Sequence, residues 1–455
     1  MHLMKSTNLV LTLMIALVVT ACGSGSSFPE ATGKGTIRAI NAIKTSPQVS
    51  FRIEQFEIGS INFREASSPA KYDDLEYDFG FDVRFVGESE VTTVAIEHLD
   101  VVAETDYTML LSGTLANSTV TVWESTDREF DGTETVFEAR FVNAADSAGS
   151  IDVYFAADGV APILGEEIGT LSLGEILPPI DFDAGEYVLI ATTSGNPGDI
   201  LFQSVITAFG AAAQYTVPLF DTNQNTHAPF ISGAYPADVS GATSPFAIVD
   251  ANYPAVVEFI NGSLPLGSVD IYDDDMQSSL VVDNLAHKNI AAELDLMVGG
   301  DIFYITPSDV NQPVLIEHPI DSFIGIRARV VTFGDTDTLR GVSYLADRRP
   351  VETHAKVQIF NSSINFETLS LFAVEVDEVL DDQLPFVLSL GSATASQVVA
   401  FQAGSFDFYI REFNEPVNLA GPIRIDMALG DVISAVVFDT VDPAVLELDT
   451  IPNNP

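Results

Sequence analysis

Apolar and polar residues alternate with period two along most of the chain, in short runs broken by Gly, Pro, Asp and Asn. That period places alternate side chains on opposite faces of a β-strand. Beyond the N-terminal thirty residues no stretch sustains a helical period, and a single helical turn within residues 165–177 (GEEIGTLSLGEIL) is the one exception expected. One run end recurs four times: TIRAIN to Asn41, EARFVN to Asn143, VVEFIN to Asn261 and KVQIFN to Asn361. A small residue follows each Asn, and a second alternating run begins eight positions later, at Val49, Ile151, Val269 and Leu369. A Gly-led run then follows at Gly80, Gly185, Gly300 and Gly404, and a fourth strand lies near 106–111, 214–220, 326–333 and 432–438. Four landmarks in one order at near-fixed offsets make an internal repeat of roughly a hundred residues.

Parity gives the Asn a place. The residues two and four before each one are apolar (Ala39 and Ile37, Phe141 and Ala139, Phe259 and Val257, Ile359 and Val357), and the residue three before is polar. Asn therefore sits on the buried face at the strand's end, where its amide is suited to bond the departing loop as in Asx turns. Asn41, Asn143, Asn261 and Asn361 are read as structural turn residues rather than ligand contacts. Strands rich in Val, Ile, Phe and Thr, with one apolar face each, need a second sheet to cover them. The predicted fold is all-β, with four tandem β-sandwich modules, immunoglobulin-like or a related Greek key. They are expected at residues 35–130, 135–245, 251–348 and 353–447, with 448–455 as a tail.

The N-terminus departs from this pattern. Lys5 precedes LVLTLMIALVV (9–19), which as a helix rises only ~16 Å, too short to span a bilayer but suited to a signal-peptide core. Val19-Thr20-Ala21-Cys22 resembles a bacterial lipobox. The resemblance implies cleavage after residue 21, diacylglycerol on the Cys22 sulfur and acylation of the new amine, which together give a stable anchor. Cys22 is the one cysteine of 455 residues, so a disulfide framework is excluded and lipidation is its expected use. Residues 22–34 read as the lipidated Cys and a flexible tether. Gly23, not Asp, follows the Cys, which resembles the outer-membrane outcome of lipoprotein sorting. The expected location is a bacterial cell envelope, lipid-anchored at the outer membrane, with periplasmic and external faces both open.

Sixty-five acidic residues against 19 basic ones leave a net charge of −46, which disfavours nucleic acid as a partner. An excess of this kind suits high ionic strength, where screening is short-ranged. Disorder is not expected, since 47% of residues are hydrophobic.

RFVNAADSAGSIDVYFAADG (140–159), followed by FDAGEYVLI and QYTVPLFD, resembles the bacterial domain of unknown function 4397, a family often repeated in lipoproteins. The likeness is clearest in module two and extends more weakly over most of the mature chain. The Pro that family places shortly after Asn-Ala is absent from modules two and four and displaced to Pro47 and Pro265 in modules one and three. The resemblance implies no activity and no catalytic residues.

Candidate chemistry is sparse. The six histidines lack metal-ligand spacing, and neither a G-x-S-x-G elbow nor a phosphate-binding glycine loop occurs. Ser68-Pro69-Ala70-Lys71 matches S-x-x-K, but its S-D-N and K-T-G partners are missing and Pro69 opposes the helix that motif needs. Acid clusters remain as weak Ca²⁺ candidates: Asp273, Asp274 and Asp275 after the VDIY run, and Asp335 and Asp337 in FGDTDT. Asp127 with Asp131, and Asp221 with Asn223 and Asn225, are further acid-rich turns. Calcium takes six to eight oxygen ligands and none of these loops matches an EF-hand, so solvated turns are the simpler reading and no cofactor is assigned. Trp123 suits a sheet core or edge better than a sugar-binding face. The expected role is non-enzymatic: a lipid-anchored array of repeats serving a structural, spacer or binding function, with an envelope protein or polysaccharide as partner. A carbohydrate- or cell-surface-binding adhesin is the alternative, and an envelope hydrolase with an unrecognised site the third.

Overall fold

The computed structural model describes residues 30–451 apart from 127, 129, 157–159, 238–243, 297–299, 309–312, 322–324 and 377. The signal peptide, Cys22 and Asp127 lie outside the described residues. Among those residues secondary structure consists of strands and two short 3-10 turns, and no helix is long and apolar enough to cross a membrane.

The first sandwich contains β1 (Lys34–Asn41), β2 (Val49–Ile53), β3 (Phe56–Ile61), β4 (Ala70–Asp73), β5 (Glu76–Arg84), β6 (Val91–Asp100), β7 (Thr105–Thr114) and β8 (Asn117–Thr126). Its first sheet runs β4-β1-β7-β8, with β1 and β7 parallel, and its second runs β3-β2-β5-β6. The chain changes sheet after β1, β3, β4 and β6, so neither sheet closes from local hairpins alone. Ile37, Ala39, Phe51, Phe79, Phe81, Met109 and Leu111 fill the space between the sheets. These are the period-two apolar positions, and their burial is what pairs the sheets.

The same order recurs three more times. The opening strands Val136–Ala144, Val256–Asn261 and Ala355–Asn361 each lie parallel to a late strand: Gln214–Asp221, Arg327–Phe333 and Val432–Asp439. All four recurring sequence landmarks occupy equivalent strands, and each sandwich has its own core.

Two boundaries differ from expectation. Leu446–Ile451 pairs with Val432–Asp439 and buries Leu446, Leu448 and Ile451, so the fourth sandwich continues to Ile451 and the tail does not begin at 448. Phe246–Ile248 adds a strand to module two beyond residue 245. Both are edge strands whose interleaved acids or short length weaken the alternating signal. Residues 165–177 contain the strand Gly169–Leu171 in place of a helical turn; the two 3-10 turns are Asp146–Ala148 and Leu380–Asp382.

Candidate functional site

Each opening strand has, as its last or last-but-one residue, an Asn with no exposed surface. Its Oδ1 accepts the backbone N–H two residues on: Ile43 at 3.0 Å, Ala145 at 3.1 Å, Ser263 at 2.9 Å and Ser363 at 3.0 Å. Its Nδ2 donates across the sandwich to an edge-strand carbonyl of the other sheet, Ile61, Leu171, Leu285 or Leu390, at 3.4, 3.3, 2.8 and 3.3 Å. In modules one to three it also donates within the turn, to Ser46 Oγ, Gly149 O or Gly267 O. One amide thus shapes the loop and ties the two sheets together at that end. A buried amide needs such partners, since each one lost leaves a costly unsatisfied group. In modules two and four the last residue of the parallel strand adds an acid. Asp221 accepts from Asp146 N, Ser147 N and Ser147 Oγ; Asp439 accepts from Ser363 Oγ, Ile364 N and Asn365 Nδ2.

The acid clusters are not brought together. Asp273, Asp274 and Asp275 follow the far end of their strand, whereas Asp335 and Asp337 lie at the Asn261 end of the same module. Asp274 accepts from the Ser278 backbone and hydroxyl, and Asp335 from Asp337 N, Thr338 N and Thr338 Oγ1; these bonds lower both carboxyl pKa values. Asp131 is likewise lowered by Thr133. Among the described residues no group of three or more His, Cys, Asp or Glu side chains is arranged to hold a metal. Ser68 and Lys71 flank the start of β4, an extended segment that cannot set them one helical turn apart.

The larger finding lies on the outward face of the opening sheets. Ile40, Leu110 and Trp123 of module one pack against Val142, Ala144, Phe220, Ile231 and Tyr235 of module two. The contact is reciprocal. Trp123 Nε1 donates to Gly174 O at 3.1 Å, and the Tyr235 hydroxyl donates to Arg64 O. Trp123 and Tyr235 hold equivalent places beside Thr108 and Thr216, while Arg64 and Gly174 each donate their N–H to the turn asparagine's carbonyl. This is an isologous, pseudo-two-fold interface formed within one chain. Burial pushes the Tyr235 phenol up to about 12, against the opposing pull of the Arg64 guanidinium. Modules three and four repeat the arrangement: Ile260, Val331 and Phe333 meet Phe360, Val436, Phe438 and Ile451. Tyr344 stacks on Phe360 with ring centroids 5.2 Å apart, and Lys288 bridges to Glu447 and Asp449.

The connector between modules three and four joins the two pairs. Arg349 donates to Lys44 O and Ser46 O of module one, and the Glu352 N–H to Thr45 O. Arg348 N donates to Asn225 Oδ1 of module two, whose Nδ2 donates to Asp347. Arg348 also reaches Glu258 and Glu293 of module three, and Lys356 at the start of module four pairs with Asp347 at 2.7 Å. Seven connector residues, Asp347 to Thr353, thereby touch all four modules; Val86 N also donates to Thr353 O.

Residues 35–154 match the model of the family described as Domain of unknown function (DUF4397). The DUF4397 match spans module one and reaches the second run of module two, whereas the residue-level likeness is clearest in module two. A comparison with curated proteins gave no match. Among solved structures the chain is similar to "The Bacillus anthracis TIE protein" at 8% identity, over 90% of this chain and 76% of that one. The TM-score is 0.15.

Proposed function

We propose that this is a lipid-anchored protein of the bacterial envelope whose four sandwiches act as one non-enzymatic body, held off the membrane by the 22–34 tether. The observation that carries the reading is the reciprocal docking of modules in pairs about a connector that contacts all four. Such a body resists bending where a string of independent domains would not, which suits a scaffold or pedestal that presents its outward sheets and loops to an envelope protein or polysaccharide. The charge of −46 favours a cationic or cation-bridged partner surface over an anionic one. The lipobox-like VTAC supports the anchor, and several acyl chains on Cys22 would hold it firmly. The test is fractionation of Cys22→Ser beside the parent chain. The variant is expected in the soluble fraction with an unchanged β-sheet circular dichroism spectrum; retention in the membrane fraction contradicts lipid anchoring.

A further inference from the structure

The residue that donates its N–H to the turn asparagine's carbonyl has a positive φ in every module: Arg64 at 68°, Gly174 at 78°, Lys288 at 69° and Ala393 at 64°. That conformation favours glycine, yet modules one and three place a long cation there, a strain of the kind held where a side chain has work to do. For Lys288 the work is visible. Its Nζ reaches across the seam to Glu447, and to Asp449 at 3.2 Å. The register gives the equivalent places in module two. Leu448 faces Val437 and Val437 faces Asn361, just as Ser232 faces Leu219 and Leu219 faces Asn143. The flanking residues therefore correspond, Glu447 with Ile231 and Asp449 with Gly233. Where Lys288 finds two acids, Arg64 finds an isoleucine and a glycine. Among the described residues its Nε is buried without a hydrogen-bond partner.

At Gly233 the seam opens into a cleft of ≈ 250 Å³ bordered by Arg64, Glu65, Tyr235, Pro245 and Phe246. The other end of the same seam is closed: a Cβ on Gly174 would lie 3.3 Å from Thr121 Oγ1, and Thr121 is module one's counterpart of Gly233. Glu65 is turned away from the guanidinium, its Oε2 accepting from Asn62 N and Nδ2, both at 2.9 Å. We propose that this cleft binds a monocarboxylate carried on a single ring, with Arg64 holding the carboxylate where module four would supply Asp449 and the ring lying against Tyr235, Pro245 and Phe246. A guanidinium offers paired N–H donors that match a carboxylate, and the aromatic wall covers an apolar flank. The cleft is smaller than the ~300–1,000 Å³ of sites for drug-sized ligands, so it suits one ring and its acid group. The chain's charge of −46 repels polyanions and leaves a single charge, enclosed in the cleft, as what the site admits. Burial lowers the Arg64 pKa, a desolvation that a bound carboxylate offsets.

The test is ligand-observed saturation-transfer NMR and calorimetric titration of the full chain carrying Cys22→Ser, with benzoate and glucuronate as probes and benzyl alcohol and glucose as their uncharged counterparts. At least one acid is expected to bind with a dissociation constant of about 0.1–1 mM, and its uncharged counterpart about tenfold more weakly or less. Which acid binds tells an aromatic from a sugar ligand. Arg64→Gly copies module two's own residue, suits the positive φ and keeps the carbonyl that Tyr235 bonds across the seam. It is expected to keep the β-sheet circular dichroism while weakening the acid about tenfold or more. Gly233→Asp installs module four's acid opposite Arg64 and is expected to abolish binding by occupying the guanidinium. Binding of neither acid at about 20 mM overturns the proposal. So does an acid bound no better than its uncharged counterpart, or one bound equally by the parent and Arg64→Gly.

Discussion

Asn143→Ala removes an acceptor and a donor that serve three hydrogen bonds: Ala145 N to Oδ1 at 3.1 Å, and Nδ2 to Gly149 O at 2.7 Å and Leu171 O at 3.3 Å. The position has no exposed surface, so water does not replace these partners. The substitution leaves one N–H and two carbonyls short of a bond. Each unsatisfied buried group costs about 1–3 kcal/mol, less where the lost bond was long, and the vacated amide adds a small cavity. A total of about 3–5 kcal/mol is expected, a large share of the ~5–15 kcal/mol that holds a typical domain. At a urea slope of about 2 kcal/mol/M the midpoint of the affected transition falls by roughly 2 M. The assay is urea unfolding of the full chain, with hydrogen exchange by mass spectrometry to place the loss in module two. Asn143→Asp keeps the acceptor but sets a buried carboxylate against the Gly149 and Leu171 carbonyls, so a loss at least as large as that of Ala is expected at pH 7. A loss below ~1 kcal/mol for Asn143→Ala, comparable with Ala at the exposed Asn117, would refute the pinning role.

Tyr235→Phe and Trp123→Phe each delete one arm of the reciprocal seam; each is expected to cost about 1 kcal/mol by double-mutant-cycle denaturation, and a tenfold difference between them would argue against two-fold equivalence. Asp250 is 3% exposed with an unpartnered Oδ2, and burial raises its carboxyl from 3.8 to about 6. The folded state therefore favours the protonated acid, and its contribution is lost as pH rises from about 4 to 6. Asp250→Asn should be more stable than the parent above pH 6 by up to about 3 kcal/mol, with the difference vanishing near pH 4; a pH-independent difference would be inconsistent with this. Burial, with Lys356 and Arg349 nearby, lowers His354 in the connector to about 4, so the stability it lends above pH 6.5 is lost as pH falls toward 4. His354→Gln should flatten that part of the acid-stability curve, and an unaltered curve would remove His354 from the explanation.

The repeat, the strand parity and the burial of the turn asparagines were legible because each rests on local alternation, and one buried face enforces that pattern four times. The docking faces also left a trace. Ile40, Val142, Ile260 and Phe360, one residue before each Asn, are apolar on the face parity assigns to solvent, and VPLF (217–220) is apolar on both faces. Read together, those positions marked opening strands covered on both sides. Which module covers which was not legible, because the seam bonds from Trp123 to Gly174 and from Tyr235 to Arg64 join residues 51 and 171 positions apart. The connector was hidden for a related reason. ADRRPVETH has the composition of a solvated linker, and its arginines are buried by groups more than fifty residues distant or, for Lys44 and Ser46, some three hundred. The acids of Asp273–Asp275 and FGDTDT read as clusters in sequence, yet the fold places them at opposite ends of their module.

Small-angle scattering of the full chain carrying Cys22→Ser tests the docking of the four modules most directly. Two reciprocal pairs joined at the connector predict a radius of gyration of ~22–28 Å, close to the compact-domain scaling for this length. Four sandwiches strung end to end would give a value of roughly 45 Å and a profile of separated beads, and that result would contradict the account.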